Sequence, residues 1–400
     1  MAAPHQSLVR KLRNRVTRTR RAWQTNKLKE RGDGVADKLP QFVVYEPTLL
    51  CNLHCNFCYV ADILNPDDWR AKELSIEELD RIFSDGGDGG DGDAGRVKSY
   101  NITGGEPFVR KNLLEIFDLL RKKGMYCDYI TTNGTVIGRD RARELAKLTK
   151  GGFLRHISVS IDGPPEFHDE VRGQRGAFKK SADNIEMLRE AYAEEGVALP
   201  LSINTTLTSG NLHLLEQTVD EAEKLGVNLI GLNQLMFATA KEVQETLDII
   251  GEEDASVIST HITDDPGLDP KEVPVVLAKA VAYAEAKGIT INWRPGQKTE
   301  DLEHYYTPNR PLKGQCFYPF FGGRITYDGK VHFCPFIRVE VGDLREQSLS
   351  EVWNSPRYVE LRKKLLEHGI FPVCRRCCKV ELDYSDRDAF SKTELTEISV

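Results

Sequence analysis

Apolar residues from position 41 onward alternate between two patterns, one typical of short buried strands and one typical of amphipathic helices. Six strand-like runs are predicted, at 42–46, 97–102, 126–131, 155–161, 200–206 and 228–233. Helical patterns follow near 75–84, 110–123, 138–148, 176–193 and 211–225. This βα alternation predicts an α/β fold with a parallel sheet, either doubly wound or curled into a partial (β/α)6 TIM-like barrel. In both folds, chemistry collects at the carboxyl ends of the strands.

The pattern becomes less regular after the sixth run. Residues 235–275 are predicted to be irregular, and a helix near 272–287 and a strand near 289–294 follow them. Pro308 and Pro311 then indicate a linker, because proline fixes φ and removes a backbone donor. Beyond that linker the sequence predicts a small C-terminal module that carries cysteines.

Composition is that of an ordinary soluble protein, with 40% hydrophobic and 29% charged residues in a chain of 400. The sequence has no apolar run of about 18 residues, so no transmembrane helix is predicted. The basic N-terminus lacks the apolar core of a secretory signal. Nine cysteines are too sparse for a disulfide scaffold, and their clustering predicts metal binding in the reducing cytoplasm.

Basic charge is concentrated at the N-terminus. The first 31 residues carry ten Lys or Arg against one acid, although the net charge of the whole chain is −7. The acidic remainder argues against nucleic acid as a partner. Residues 1–40 are interpreted as a basic amphipathic arm that makes peripheral contact with an anionic membrane surface. Packing of its apolar stripe on the body, or a disordered tail, are the alternatives. The apolar residues on one side of this predicted helix are Leu8, Leu12, Val16 and Trp23.

Three cysteines follow the first strand with Cx3Cx2C spacing: Cys51, Cys55 and Cys58. A four-iron cluster takes four thiolates when fully ligated, so three leave one iron open to an external ligand. A structural zinc site is instead normally closed by four ligands, and a zinc knuckle or scattered buried thiols is the alternative for this triplet. The spacing, with Phe57 just before the third cysteine, resembles the motif of the radical S-adenosylmethionine (SAM) superfamily.

That resemblance implies two cofactors and a partner for this part of the chain. In the family, the open iron of a [4Fe–4S] cluster binds the amino and carboxylate groups of SAM. One electron then splits SAM to a 5′-deoxyadenosyl radical. The implied partner is an external electron donor, similar to flavodoxin or ferredoxin, and the implied fold is a partial barrel over residues 41–307.

A glycine-rich motif at the end of the second strand also resembles the family. Gly104, Gly105 and Glu106 lie in Thr-Gly-Gly-Glu-Pro, one βα unit after the cysteines. Two glycines are predicted to let the backbone approach a ligand closely. By resemblance, Glu106 and nearby carbonyls accept hydrogen bonds from the SAM ammonium group. A plain turn is the alternative.

Polar residues near the fourth and fifth strands complete the predicted SAM contacts. Alternation turns Ser160 and Asp162 to one face of the fourth strand. By resemblance, these two residues contact the ribose or methionine part of SAM, and Arg172 binds its carboxylate. A surface ion pair is the alternative for Arg172. Asn204, on the fifth strand, is predicted to bind SAM or substrate, or to cap a turn.

The C-terminal module repeats the cysteine theme. Its Cx12Gx4C…Cx2C layout resembles the twitch module, a short relative of the SPASM domain, over residues 308–385, with a tail at 386–400. The resemblance implies one auxiliary [4Fe–4S] cluster with four cysteine ligands. Cys378 is an alternative to Cys377 as the last of them. A zinc ribbon is the competing interpretation. A hairpin turn at 327–330 predicts that Cys316 and Cys334 lie on paired strands. The four predicted ligands are Cys316, Cys334, Cys374 and Cys377.

The resemblance covers about residues 42–383 and implies an enzyme whose deoxyadenosyl radical abstracts a hydrogen atom from a substrate inside the barrel. No catalytic residue is assigned. The auxiliary cluster is expected either to transfer an electron or to orient the substrate. The substrate is predicted to be a lipid or a small sugar or alcohol intermediate of a natural product. Peptide maturation and a non-catalytic iron–sulfur electron carrier or redox sensor are the alternatives.

Overall fold

The computed structural model describes residues 24–84, 97–294, 302–307, 313–378 and 381–383. The apolar stripe of the predicted arm, the linker prolines and the tail at 386–400 lie outside these described residues. Residues 24–31 are helical. Leu28 in this segment is buried in the main core, so this part of the arm packs on the body.

Strands and helices alternate along the chain, as the apolar pattern predicts. The strands are β1 Phe42–Tyr45, β2 Ser99–Ile102, β3 Tyr126–Thr132, β4 Ile157–Ser160, β5 Leu201–Thr206, β6 Leu229–Asn233, β7 Phe237–Ala238, β8 His261–Ile262, β9 Thr290–Arg294, β10 Lys313–Gln315, β11 Gly322–Ile325, β12 Lys330–His332, β13 Glu340–Asp343 and β14 Glu381–Asp383. The α-helices after residue 31 are Trp69–Lys72, Ile76–Ser84, Leu113–Lys122, Gly138–Lys150, Pro165–Val171, Ala177–Glu194, Leu215–Lys224, Ala240–Ile250, Glu272–Ala286, Leu302–Tyr306, Tyr318–Phe321, Leu349–Trp353 and Pro356–His368.

One ten-stranded sheet organises the molecule, in the order β13-β12-β11-β1-β2-β3-β4-β5-β6-β9. Its eight strands from β11 to β9 are parallel, and β12 and β13 continue it in antiparallel fashion. Strands β1 to β6 correspond to the six predicted runs to within two residues at each end. The parallel α/β prediction is confirmed, and β9 and β11 extend it beyond six strands.

The two faces of the sheet differ in character. Tyr45 of β1 and Tyr100 of β2 both contact the ring of Phe83, at centroid distances of 6.0 and 5.2 Å. Phe83 belongs to the helix at 76–84, so this face of the sheet is the one that helices cover. Because side chains alternate along a strand, the residues next to each of these tyrosines in its own strand point to the opposite face of the sheet. This opposite face is the inner face of the barrel.

Two expectations for the second half of the chain are wrong. The region 235–275 contains the helix Ala240–Ile250, which begins with a capping box between Thr239 and Glu242 and ends at Gly251 with φ of +73°. Thr-x-x-Glu followed later by glycine is a sequence signal for a helix, and it was present here. The hairpin turn at 327–330 is confirmed between β11 and β12.

The second of these corrections concerns the cysteines around that hairpin. Cys316 and Cys334 flank β11 and β12 rather than lying on the paired strands. Cys316 lies between β10 and the short helix at 318–321, and Cys334 is the second residue after β12. In the part of the chain that the structure describes, no helix combines the length and apolar character needed to cross a membrane.

Candidate active site

The loop that carries the first three cysteines leaves the carboxyl end of β1. The backbone N–H of Cys51 donates to the side-chain oxygen of Asn65 at 2.9 Å, and the Asn65 N–H donates to the Leu49 carbonyl at 3.2 Å. Asn65 has φ of +54°, a left-handed conformation in which asparagine is enriched. The base of the loop is therefore closed by a residue that the sequence analysis did not single out. Its signal is the turn dipeptide Asn65-Pro66.

Side chains from two other regions hold this loop in place. Asn52 donates to the Thr135 hydroxyl at 2.9 Å and accepts from the Asn133 amide at 3.0 Å. On the other side of the loop, the His261 ring nitrogen Nε2 lies 2.8 Å from the Phe57 carbonyl oxygen. The Thr-Asn-Gly turn after β3 therefore positions the cysteine loop directly.

Gly104 and Gly105 lie against the chain that leads to Cys51. A Cβ on Gly104 would overlap the carbonyl oxygen of Thr48, and a Cβ on Gly105 would overlap that of Leu50. Gly104 also has φ of +127°, which side chains other than glycine rarely adopt. In this structure the two glycines admit the backbone before the first cysteine. Their predicted close approach to a ligand stays a prediction.

Glu106 is fully buried, and its carboxylate is shared among three protein donors. The carboxylate accepts hydrogen bonds from the Thr132 hydroxyl at 2.7 Å, the Asn133 N–H at 2.6 Å and the Phe108 N–H at 3.1 Å. Burial raises the pKa of Glu106, and these donors oppose that shift. The carboxylate thus fixes the end of β3 to the end of β2. Its predicted contact with the SAM ammonium group stays a prediction.

Asp162 and Arg172, predicted to contact different parts of SAM, are paired with each other. Asp162 Oδ2 accepts from Arg172 Nε at 2.6 Å and from Nη2 at 2.5 Å. Burial opposes the charge of Arg172, but Asp162 and then Cys55 outweigh it and raise its pKa. Arg172 Nη1 lies 3.5 Å from Cys55 Sγ, so the guanidinium connects the end of β4 with the cysteine loop. Asp162 is wholly buried, and its other oxygen accepts from the Thr206 N–H at 3.1 Å.

Ser160 and Asn204 lie side by side on the inner face. They are register partners on the parallel strands β4 and β5. Asn204 Oδ1 accepts from Asn233 Nδ2 at 2.8 Å, which continues the polar surface to β6. The inner face therefore carries uncharged polar groups on three successive strands, as the alternation of the fourth strand predicts.

The three thiols of the loop are half-buried and close enough to affect one another. Burial first, and then Glu106, Cys55 and Cys58, raise the pKa of the Cys51 thiol to about 11. The Cys58 N–H donates to the Cys55 carbonyl at 3.2 Å, so the last two cysteines share one tight turn. Thiols are the donors that iron–sulfur clusters use, and their ligation displaces the protons. The donor set fits a cluster held at three corners.

The C-terminal cysteines also converge, although they come from distant parts of the sequence. Apart from burial, the groups that raise the pKa of Cys374 are Cys334 and Cys316. For Cys377 they are Cys378, then Cys374 and Cys316. All four predicted auxiliary ligands are thus neighbours, with Cys378 beside them. Over the described residues, no three His, Cys, Asp or Glu side chains converge as closely as a single metal ion requires.

A buried acid anchors the Cys374-Arg-Arg-Cys377 loop to the body of the protein. Glu242 accepts from Arg375 Nη1 at 3.1 Å and from Arg376 Nη1 at 3.1 and 3.2 Å. Arg376 is completely buried, and its other nitrogens donate to the carbonyls of Tyr305 and Thr307, each at 2.9 Å. Glu242 was not among the residues predicted from the sequence, because no helix was expected at 240–250.

Known proteins match both parts of this arrangement. The profile of the radical SAM superfamily matches residues 45–207, and that of the SPASM iron–sulfur cluster-binding domain matches residues 316–378. An AdoMet-dependent heme synthase of Nitratidesulfovibrio vulgaris is 30% identical over 331 residues, which cover 80% of each chain. The chain belongs to the radical SAM superfamily. A PqqA peptide cyclase of Rhizobium meliloti is 28% identical over 86% of this chain and 81% of its own length.

Solved structures have the same fold. The structure of anSMEcpe with bound AdoMet superposes with a TM-score of 0.58 at 16% identity, over 90% of this chain and 96% of that one. Streptococcus suis SuiB bound to S-adenosylmethionine gives 0.57 at 17% identity, over 88% and 75%. The expected partial barrel followed by a SPASM-type domain is confirmed. This radical SAM protein accordingly uses SAM, a SAM-binding [4Fe–4S] cluster and an auxiliary iron–sulfur site.

Proposed function

We propose that this radical SAM protein is an enzyme that removes a hydrogen atom from a polar substrate on the inner face of its barrel. The observation that carries the proposal is the convergence of the three-cysteine loop with the polar ends of β2, β3 and β4. When bound, the cluster and SAM together supply the reducing electron and the deoxyadenosyl radical. A protein that only carried electrons would have no use for so many buried polar contacts around the cysteine loop.

The proposed roles follow from the contacts of each residue. Cys51, Cys55 and Cys58 hold the SAM-binding cluster. Arg172, fixed by Asp162, places a positive charge beside Cys55, where it would stabilise the negative charge of the ligated thiolate. Ser160 and Asn204 present hydroxyl and amide groups on the inner face for SAM or substrate. Gly104, Gly105 and Glu106 support the backbone that forms the SAM-amine contact.

The character of the inner face favours a polar substrate over a lipid. Asn101, Ser160, Asn204 and Asn233 lie on the strands around that face. Asn204 and Asn233 bond to each other, but the Asn101 side-chain oxygen has no partner in the described residues, and a lipid chain would not supply one. Among relatives, heme synthases and Fe-coproporphyrin III synthase are named for tetrapyrroles, and PqqA peptide cyclase is named for a peptide. A polar tetrapyrrole-like substrate is therefore the first candidate.

A peptide side chain is the second candidate substrate. Relatives named as a PqqA peptide cyclase and as the maturation protein SkfB of Bacillus subtilis are similar over 86% and 87% of this chain. Under this alternative, the inner face would bind one side chain of a longer peptide.

The first experiment tests for the radical SAM reaction itself. We expect about eight irons per chain after anaerobic reconstitution, from two four-iron clusters, and release of 5′-deoxyadenosine on addition of dithionite and SAM. Cys55→Ala should abolish deoxyadenosine release and retain the auxiliary iron. The matched control is Cys127→Ala, which removes a fully buried core cysteine that belongs to neither cysteine set. This variant should retain both deoxyadenosine release and the auxiliary iron. A protein that holds both clusters but never cleaves SAM, even with candidate substrates present, would contradict the proposal.

A further inference from the structure

A second polar group lies on the inner face, at the junction between the barrel and the C-terminal strands. Arg324 of β11 is the register partner of Val44 in β1, and Val44 is the partner of Asn101 in β2. Their neighbours Tyr45 and Tyr100 point to the helix-covered face, so Arg324 and Asn101 point inward. Arg324 is 1% exposed. A side chain of this kind needs a partner for its charge inside the protein.

Only part of the positive charge in this group is neutralised by the protein. Glu46, at the end of β1, forms ion pairs with both Arg324 and Arg338, the latter at 3.3 Å. All three side chains are at least 90% buried. Two guanidinium groups and one carboxylate leave one excess positive charge. No acid other than Glu46 forms an ion pair with either arginine in the described residues.

Several hydrogen-bonding atoms of this group also lack partners. Arg324 Nε, Arg338 Nη1 and His332 Nδ1 have none within the described residues. Buried arginine donors without acceptors are rare and costly in a native structure. Three such atoms together, two of them arginine N–H donors, around an unpaired positive charge, indicate that a ligand completes the group.

The group lies beside both cysteine sets. Tyr59, which follows Cys58, is one of the neighbours that raise the pKa of Arg324, and its ring contacts Phe336 at 5.9 Å. Arg324 and Arg338 are in turn among the charged neighbours of Cys334. A molecule bound to these arginines would therefore lie next to the SAM-cluster loop and the auxiliary site together.

We propose that Arg324 and Arg338 bind a carboxylate group of the substrate. The inference rests on the proposed function, because it assumes that the inner face is where the substrate is held. A carboxylate carries one negative charge, which equals the excess charge of the group. A phosphate monoester carries nearly two and would leave an uncompensated negative charge beside Glu46. Arg324 Nε and Arg338 Nη1 are N–H donors without acceptors, and a carboxylate offers two oxygens that accept charge-assisted hydrogen bonds.

The test uses [14C]propionate as the probe, in equilibrium dialysis with the anaerobic holoprotein. Arg338→Gln removes the excess charge and leaves the neutral Glu46–Arg324 pair in place. We expect one propionate to bind per wild-type chain. Binding should be at least about tenfold weaker in Arg338→Gln, because a charged hydrogen bond is lost. Arg338→Lys should recover part of the affinity, because it keeps the positive charge. Arg345→Gln, which breaks an ion pair with Glu78 on the outer side, should bind as the wild type does.

Two further measurements separate this inference from the proposed function. Unlabelled propionamide, which has the same shape without the charge, should fail to compete, and iron content should be equal in wild type and Arg338→Gln. Equal propionate binding in wild type and Arg338→Gln, or none in either, would overturn the carboxylate site. Propionate binding that depends on Arg338, in a protein that never releases deoxyadenosine, would support the site and contradict the radical SAM reaction. Inorganic phosphate that displaces propionate more strongly than acetate would contradict the choice of a carboxylate.

Discussion

Replacing Glu242 by glutamine is expected to loosen the auxiliary cysteine loop while the SAM-cluster loop stays intact. Glu242 is 3% exposed in its side chain and accepts hydrogen bonds from the two arginines that separate Cys374 from Cys377. Glutamine can still complete the capping box with Thr239, so the helix start is preserved. The change is therefore confined to the contacts with Arg375 and Arg376.

The magnitude follows from the burial of the two arginines. Arg375 is 23% exposed, so water compensates much of its loss. Arg376 is fully buried, and its charge would be left unpaired. Removing one partner of a buried pair costs about 3–5 kcal/mol. Two carbonyls, of Tyr305 and Thr307, continue to accept from Arg376, so the lower end of that range applies. A cost of ~3 kcal/mol raises the open population of the loop roughly 10²-fold.

The assay is release of iron to a ferrous chelator from the anaerobic reconstituted protein. In wild type, the release of all irons is expected to be slow. In Glu242→Gln, about four of the eight irons should leave roughly 10²-fold faster, because only one four-iron cluster is exposed by loop opening. The control is Glu245→Gln on the same helix, whose ion pair with Lys241 is long, at 3.8 Å, and exposed. Wild-type kinetics in Glu242→Gln, or equal acceleration of all eight irons, would refute the reasoning.

Two other perturbations test the SAM-cluster loop and a buried histidine. Gly105→Ala forces a Cβ into the Leu50 carbonyl. The rate of deoxyadenosine release should therefore fall by about 10²-fold, which is the cost of misplacing reacting groups by roughly 1 Å. The control is Gly151→Ala, where a Cβ makes ordinary contacts, and it should keep wild-type activity. Burial lowers the pKa of His168 from 6.5 to about 4. The unfolded chain therefore takes up the proton first, and the stability contributed by neutral His168 is complete above pH 6.5 and lost as the pH falls toward 4. Guanidinium denaturation measures the free energy of unfolding at pH 7.5 and pH 5.5. Between these two pH values, the free energy of unfolding of His168→Gln should fall by about 1 kcal/mol less than that of wild type. Equal falls in the two proteins would contradict this prediction.

The local elements of the fold were accessible from the sequence because they depend on local patterns. Strands β1 to β6 are short apolar runs bounded by turn residues, and each is found within two residues of its predicted ends. The two cysteine sets were accessible because their spacing resembles the motifs of the radical SAM superfamily and of the twitch module. The helix at 240–250 was missed although Thr239, Glu242 and Gly251 marked its two ends. The short irregular stretches on either side of it masked its apolar periodicity.

The partners of the polar residues were not accessible, because they come from distant parts of the chain. The sequence did not indicate that Glu106 also accepts hydrogen bonds from Thr132 and Asn133 at the end of the next strand. Asp162 and Arg172 were assigned to different parts of SAM, yet a helical turn after β4 brings them into one ion pair. The alternation of polar and apolar residues predicts which face of a strand a side chain lies on. Only the folded structure shows which of its atoms already form hydrogen bonds or ion pairs within the protein.

The pairing of β11 with β1 restricts what the auxiliary site can do. β1 leads into the SAM-cluster loop, and β11 and β12 lead to Cys334, so hydrogen-bonded strands connect the two cysteine sets without a flexible linker. Glu46 adds ion pairs across the same junction. The SAM-cluster loop and Cys334 are therefore held in a fixed relation to each other. Their fixed relation suits a substrate that lies between them and contacts both surroundings. Under the proposed function, a molecule bound in that position would lose a hydrogen atom on the side of the SAM-cluster loop and an electron on the side of the auxiliary site.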